Sequence, residues 1–440
     1  MKVCKFGGTS MANAESILRV MDIIKSDGER KYIVVSAPGK RNAKDRKITD
    51  MLYECCDDAL KNGKCGDAFS KIEERFLQIQ NDLQIDCDMQ TLLENIRGKI
   101  EKQLSRAYSA SRGEFLSAIL LSKKLGVPFV DAQDIVRFDG DGELDADLSV
   151  KLIAERLADV PCAVIPGFYG SNAKGEIITF SRGGSDITGA LVARATGADI
   201  YENWTDVNGF LVADPRIVDN PQYIEYLSYK ELRELSYMGA EVMHPESILP
   251  VSRAGIPINI KNTFNPTHPG TMIVRREDLP ENTRTVTGIA GKKGLTIINI
   301  EKEMMNSEIG FGARVLSVLA DEKISFEHIP SGIDTLSVVV CDECVKGKMQ
   351  LLLHKIQDAV NADSIELHGG LSLIAVVGHK MSAKAGTAGR VFGALSNNGI
   401  NVRMIDQGSS ELNIILGVST NDYERAINAV YNEFFDTNKG

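Results

Sequence analysis

The chain has 440 residues, 43% hydrophobic and 25% charged, the composition of a soluble globular protein long enough for two or three domains. A net charge of −10 leaves no basic excess to neutralise a nucleic acid, and no apolar run approaches the length of a membrane-spanning helix. Eight cysteines (Cys4, Cys55, Cys56, Cys65, Cys87, Cys162, Cys341, Cys344) form no disulfide framework, and the single CxxC at Cys341 and Cys344 lacks the second pair or histidines of a zinc site, so reduced thiols and a cytoplasmic location are expected.

The opening MKVCKFGGTS has no apolar signal core and reads as the first strand of a fold. That strand ends in Gly7-Gly8, and Thr9 or Ser10 is placed to cap the helix of ESILRVMDIIKS (15–26). Amides at such a turn point at an anion on the helix N-terminus, and Lys5 at the strand end adds a full charge. KYIVVSA (31–37) is a second strand running into SAPGK (36–40), at the strand end where open α/β sheets bind ligands. SRGEFLSAILLS (111–122) places Glu114 early in a helix, where a first-turn glutamate complements the helix dipole.

VPFVDA (127–132), PCAVIPGFY (161–169), ADIYENWTDV (198–207) and IPINIKNT (256–263) read as further strands, and LSVKLIAERLADV (148–160) as a helix. GFYGSNAKGEIITF (167–180) reads as a hairpin around a glycine-bearing turn. FSRGGSD (180–186) sets Arg182, Gly183 and Gly184 before Ser185 and Asp186 at a helix start. WTDVNGFLVADPR (204–216) offers Asp206, Asp214 and Arg216 around a turn. Strand–helix alternation predicts an α/β fold, a mostly parallel sheet sandwiched by helices, over 1–280. The Pro-, Asn- and Thr-rich NPTHPGTMIVRREDLPENTRT (265–285) reads as the exit from it.

Beyond the exit a repeat begins. Adding 76 takes Met305 to Met381, Gly310 to Gly386, Arg314 to Arg390, Val315 to Val391, Leu319 to Leu395, Ile324 to Ile400, Ile329 to Ile405 and Leu336 to Leu412. Each copy reads strand, Gly-bearing loop, helix, strand, turn, strand: TIINI, ISFEHI and TLSVVV in the first, LSLIAVV, INVRMI and ELNIILGV in the second. That order opens a ferredoxin-like α+β unit, so two tandem modules are expected at 285–365 and 366–440, with strands open to exchange between them.

Two Gly-rich turns, two arginines and a lysine at strand ends of one sheet, without a nucleophilic triad or metal cluster, suit phosphoryl transfer, which depends on positioning and charge neutralisation. There is no GxxxxGK[ST] P-loop and no GxGxxG after a strand. KFGGTS, SRGEFLS, SRGGSD, TDVNGFLVADPR and GAEVMHP, in this order, resemble aspartate kinase of the amino acid kinase family, and the tandem modules resemble its two ACT domains.

The resemblance covers essentially the whole chain and implies transfer of the ATP γ-phosphoryl group to the β-carboxylate of L-aspartate, with Mg²⁺ carried by ATP. This would be the first step towards lysine, threonine and methionine. By resemblance, Lys5, Gly7, Gly8, Thr9, Ser10, Thr205, Asp206 and Arg216 serve the nucleotide, and Ser36, Glu114, Arg182, Gly183, Gly184, Ser185 and Asp186 serve aspartate. Lys5, Arg182 and Asp186 are the implied catalytic residues, and the forked guanidinium of Arg182 suits the substrate α-carboxylate.

Ser181 departs from the glycine usual before RGGSD, Leu211 from a tyrosine found in some members near the adenine, and Glu241 from a nucleotide-contacting lysine in several. The chain is expected to lack a fused homoserine dehydrogenase. The ACT resemblance implies a homodimer, or a dimer of dimers, and feedback inhibition by lysine or, second, threonine, with Met305, Ser307, Glu327, Ser331 and Asp334 as effector candidates. The competing readings are a glutamate-type amino acid kinase and a catalytically inactive ACT sensor.

Overall fold

The computed structural model describes residues 1–181, 183–240, 243, 245–381, 384–408, 410 and 412–436. It divides into two compact units: Met1–Phe210 with Tyr223–Leu232 and 241–281, and Leu211–Gln222 with Arg233–Ala240 and 282–440. Two stretches inside the expected 1–280 segment are thus compact with the second unit.

In the first unit the strands are β1 (Lys2–Phe6), β2 (Arg30–Val35), β3 (Ala163–Pro166), β4 (Tyr169–Ser171), β5 (Ile177–Thr179), β6 (Ile200–Thr205), β7 (Tyr226–Ser228), β8 (Ile258–Asn262) and β9 (Thr271–Val274). Seven of them form a sheet in the order β3-β2-β1-β6-β8-β9-β7, and β4 and β5 form the expected hairpin. From β3 to β8 every pairing is parallel; β8 and β9 are antiparallel. The helices are α1 (Ala14–Lys25), α2 (Ile48–Asn62), α3 (Asp67–Asp82), α4 (Met89–Gln103), α5 (Arg106–Leu125), α6 (Ala132–Ile135), α7 (Ala146–Leu157) and α8 (Gly184–Thr196). α9 (Tyr229–Tyr237), which begins in the first unit and ends in residues of the second, and α10 (Leu249–Ala254) follow. Strand residues such as Val3, Val34, Val164 and Tyr201 are fully buried, as expected where both sheet faces are covered.

Three expectations change. VPFVDA makes only an isolated bridge, Phe129 to Val164, before Asp131 caps α6; Pro128 has no N–H to continue a ladder. The exit segment contains β9, whose TMIV still pairs with the sheet. Glu114 is in the third turn of α5, not the first, because Ser105 caps that helix through the Tyr108 N–H at 3.2 Å.

The second unit is built on one six-stranded sheet. Its strands are β10 (Gly288–Glu301), β11 (Phe326–His328), β12 (Thr335–Cys341), β13 (Ser364–Val377), β14 (Val402–Asp406) and β15 (Asn413–Ser419), in the order β11-β12-β10-β13-β15-β14. The helices are α11 (Phe311–Asp321), α12 (Asp342–Val345), α13 (Met349–Val360), α14 (Thr387–Asn397) and α15 (Tyr423–Phe435). The 14-residue strands β10 and β13 pair antiparallel along their length, with bulges near Lys292–Ile297. The second half of β10 pairs with β12 and the second half of β13 with β15. Each half-sheet therefore has the 2-3-1-4 ferredoxin-like order, and the fourth strand of the second comes from residues preceding the first.

The repeat is explained by packing. Met305 and Met381, Val315 and Val391, Leu319 and Leu395, Ile324 and Ile400, and Leu336 and Leu412 are buried in both copies. Gly310 and Gly386 precede α11 and α14 with φ of 81° and 86°, a conformation that favours glycine.

Candidate active site

The chain runs β1-β2-β3 to one side of the sheet and β6-β8 to the other, so the order reverses between β1 and β6. Ligands of open α/β sheets bind at the carboxyl ends beside such a reversal. The residues there are Gly7-Gly8 and Thr205-Asp206. The Gly7 N–H donates to the Trp204 carbonyl at 3.0 Å, and the Thr9 hydroxyl donates to the Asp206 carboxylate at 3.0 Å.

Lys5 and Asn203 are register partners on β1 and β6, so their side chains share a sheet face. Both meet Asp186 Oδ1 of α8, Lys5 Nζ at 2.7 Å and Asn203 Nδ2 at 2.9 Å. Lys5 is 9% exposed. The Asp186 carboxylate lies in the first turn of α8, where the dipole favours negative charge. The glycines before it have separate reasons. Gly183 has φ 59°, and a Cβ on Gly184 would lie 2.8 Å from Phe180 Cβ and 2.9 Å from Phe168 Cα. Ser185 is packed as tightly, with a Cβ on Gly167 falling 2.6 Å from its own.

SAPGK reaches the same edge from β2. Ser36 N–H donates to the Phe6 carbonyl at 3.1 Å, and Gly39 N–H to the Gly8 carbonyl at 2.7 Å. A Cβ on Gly39 would lie 2.6 Å from the Gly8 carbonyl carbon and 2.8 Å from Thr9 N, both backbone atoms that cannot swing aside. Gly39→Ala should therefore push the two turns apart, at about 1–3 kcal/mol of stability, which denaturant unfolding checks.

Glu114 packs behind that loop: a Cβ on Gly113 would come 2.6 Å from Ala37 Cβ. Glu114 is 5% exposed, and its Oε2 has no hydrogen-bond partner. Burial lifts this carboxyl to about 8, opposed by backbone donors at Ala37 and Glu114 and by the Arg112 guanidinium. At neutral pH it is mostly a neutral acid.

Not every expected residue joins this group. Asn13, not Thr9 or Ser10, caps α1, accepting from Ser16 N–H at 2.9 Å, while Thr9–Met11 form a short 3₁₀ turn. Ser10 is fully buried and shares a 2.8 Å hydrogen bond with the Thr263 hydroxyl. Arg216 falls in the second unit, where its guanidinium meets Asp214 at 2.6 Å and is 85% exposed. Arg182 and Glu241 lie outside the described residues. Asn203 and Thr263 were missed because their roles come from register and from contacts about 250 residues apart in sequence. Among the described residues no three carboxylate, histidine or cysteine side chains gather as a metal cage. The Asp206 carboxylate stands at the strand reversal, and a Mg²⁺ ion that takes its other ligands from phosphate oxygens and water needs only one or two carboxylates from the chain.

In the second unit, Met305, Ser307, Ser331 and Asp334 lie in the turn after β10 and the β11–β12 connection. These are tied together by Met304 N–H to Asp334 at 2.9 Å and Asn306 N–H to the Ile333 carbonyl at 3.1 Å. Glu327 is apart on β11, paired with Lys292 and accepting from the Tyr237 hydroxyl at 2.7 Å.

Residues 1–262 match the model of the amino acid kinase family, and residues 374–434 that of an ACT domain. Aspartokinase 3 of Bacillus subtilis is 38% identical over 99% of both chains. The chain belongs to the aspartate kinase family. It is a phosphotransferase with aspartate as acceptor and a nucleotide as donor. The aspartate kinase of Clostridium acetobutylicum is 49% identical with a TM-score of 0.93, covering 99% of this chain and 100% of that one. Escherichia coli aspartokinase III is 28% identical and covers 99% of this chain; its complex with aspartate and ADP gives a TM-score of 0.76 over 100% of that chain, and its complex with lysine and aspartate 0.75 over 99%.

Proposed function

We propose that the kinase divides its two anionic substrates along one sheet edge. The γ-phosphoryl group of ATP sits on the Gly7-Gly8 turn beside Lys5, with Thr9, Thr205 and Asp206 on the nucleotide. Ser10 acts by fixing the turn, and Arg216 is assigned on resemblance alone. L-Aspartate is held by Ser36, Glu114, Arg182 and the Gly183–Asp186 helix start, with Arg182 on its α-carboxylate. The observation that carries this reading is the Lys5–Asp186–Asn203 cluster, which sets a buried lysine between the two Gly-rich turns at the strand reversal. The attacking β-carboxylate has a reference pKa of about 3.9, so it needs no general base. The chain's task is to bring it against a polyphosphate, and fixed cations do that. Bound with ATP, Mg²⁺ would supply charge neutralisation to the phosphate oxygens, and Asp206 is the carboxylate that would hold it.

Hydroxylamine trapping of the acyl phosphate tests this. Product with aspartate and none with glutamate is expected; the reverse would make it a glutamate-type kinase, and no turnover would make it a sensor.

The catalytic domain is assigned to 1–280, and the ACT modules to 285–365 and 366–440 with exchange of the first half of β10. The location is the cytoplasm. The effector is lysine, with threonine second, bound near Met305, Ser307, Ser331 and Asp334; Glu327 is already engaged by Lys292 and Tyr237. Met304, Ile309 and Ile333 project there at 63, 97 and 69% exposure, apolar surface that suits ACT-to-ACT dimerisation or a dimer of dimers. At about 100 times its dissociation constant the effector should stabilise the protein by about 2.7 kcal/mol and lower turnover. Thermal shift and activity with lysine and threonine measure both, and neither changing would remove the regulatory assignment.

A further inference from the structure

Arg75 belongs to none of the motifs above. It lies on α3, whose Phe69, Ile72, Phe76 and Ile79 are buried in the core and make the helix a fixed post. The Arg75 side chain is 3% exposed. Its guanidinium donates to the Ala12 carbonyl at 2.9 Å, to the Gly39 carbonyl, and to the Arg46 carbonyl at 3.3 Å. It also stands 3.2 Å from the Asp45 carboxylate.

These acceptors place it behind the site. Ala12 closes the turn after KFGGTS through its N–H to the Thr9 carbonyl at 3.3 Å. Gly39 belongs to SAPGK and touches the Gly8 carbonyl. Asp45 closes the loop beyond SAPGK, also accepting from the Arg41 backbone N–H at 2.9 Å and its Nε at 2.9 Å. One side chain thus holds both turns from a third element. A planar fork with five fixed donors can serve such divergent acceptors, and an ammonium group cannot.

We propose that Arg75 is a positioning residue for phosphoryl transfer, setting the spacing between the KFGGTS and SAPGK turns. This rests on the reading that those turns hold the two substrates. Small misplacements of reacting groups are expensive, on the order of 100-fold per ångström, so a loosened clamp should show in kcat.

The test uses the full-length enzyme with Arg75→Met, Arg75→Lys and Asp45→Asn. Steady-state kinetics with both substrates are referred to the folded fraction measured by circular dichroism. Arg75→Met should lose at least about tenfold in kcat per folded molecule, with a smaller change in the KM for aspartate. Arg75→Lys should fall between it and wild type, and millimolar guanidinium should restore part of the Arg75→Met loss. A merely structural residue would lower the melting midpoint and leave kcat per folded molecule unchanged, and that result overturns the proposal. If Arg75→Met does not fold, wild-type kcat in both Arg75→Lys and Asp45→Asn overturns it equally. A Lys5→Met control separates the two readings: if it too retains wild-type turnover, the site assignment fails, whereas a dead control beside fully active Arg75 variants refutes the clamp alone.

Discussion

Lys5→Met should lower kcat by about 100- to 1,000-fold while the protein remains folded, the size of effect seen when one preorganised charge-stabilising donor is removed. Methionine keeps the unbranched stem and packs where the lysine stem packs, but it presents no charge to the transferring phosphoryl group. The fold should tolerate the change because Asp186 keeps its 2.9 Å hydrogen bond from Asn203 and its place in the first turn of α8. Its pair with Lys5 is also not wholly sealed, the side chains being 11 and 15% exposed. Turnover within about fivefold of wild type, at unchanged circular dichroism, would contradict a phosphate role for Lys5.

The KM for aspartate should depend steeply on pH through Glu114. With burial holding its carboxyl at about 8, the free enzyme carries a neutral acid at pH 7. Pairing with the substrate ammonium group requires the ionised form, so a proton must leave on binding. Apparent affinity should therefore weaken about tenfold for each pH unit below about 8 and level off above it. Glu114→Gln cannot ionise, and its KM should be raised at pH 8.5 and nearly flat down to pH 6. A wild-type KM that does not change between pH 6 and 8 would show that the unpartnered Oε2 is not the ammonium site.

The parts of this structure that could be read from the chain are those set by short-range patterns. β2 and β8 carry their own β-branched residues, the glycines at 7, 8, 183 and 184 mark turns, and the 76-residue offset reports two equivalent sets of buried positions. Glu114 was recognisable as a motif residue but not as a buried acid, because the cap that starts α5 lies at Ser105, nine residues upstream. β9 is only four residues long, and its Met272, Ile273 and Val274 are set in a stretch otherwise rich in Pro, Asn and Thr that masks them in a local reading. The exchange of the first half of β10 could not be located from local pattern, because its partner strand lies about 80 residues later in the chain. Arg75 is the clearest case. Its position on α3 looks like one more charged helical residue, and only the fold brings it under Ala12 and Gly39.

The division of substrates between the two groups of residues is tested most directly by titrating each substrate separately. Calorimetry of aspartate and of a non-hydrolysable ATP analogue with Mg²⁺, on wild type and Glu114→Gln at pH 8.5, provides both affinities. Loss of a charge-assisted contact should weaken aspartate by at least about tenfold, while the nucleotide stays within about twofold. Wild-type aspartate affinity in Glu114→Gln, or equal weakening of both ligands, would contradict it.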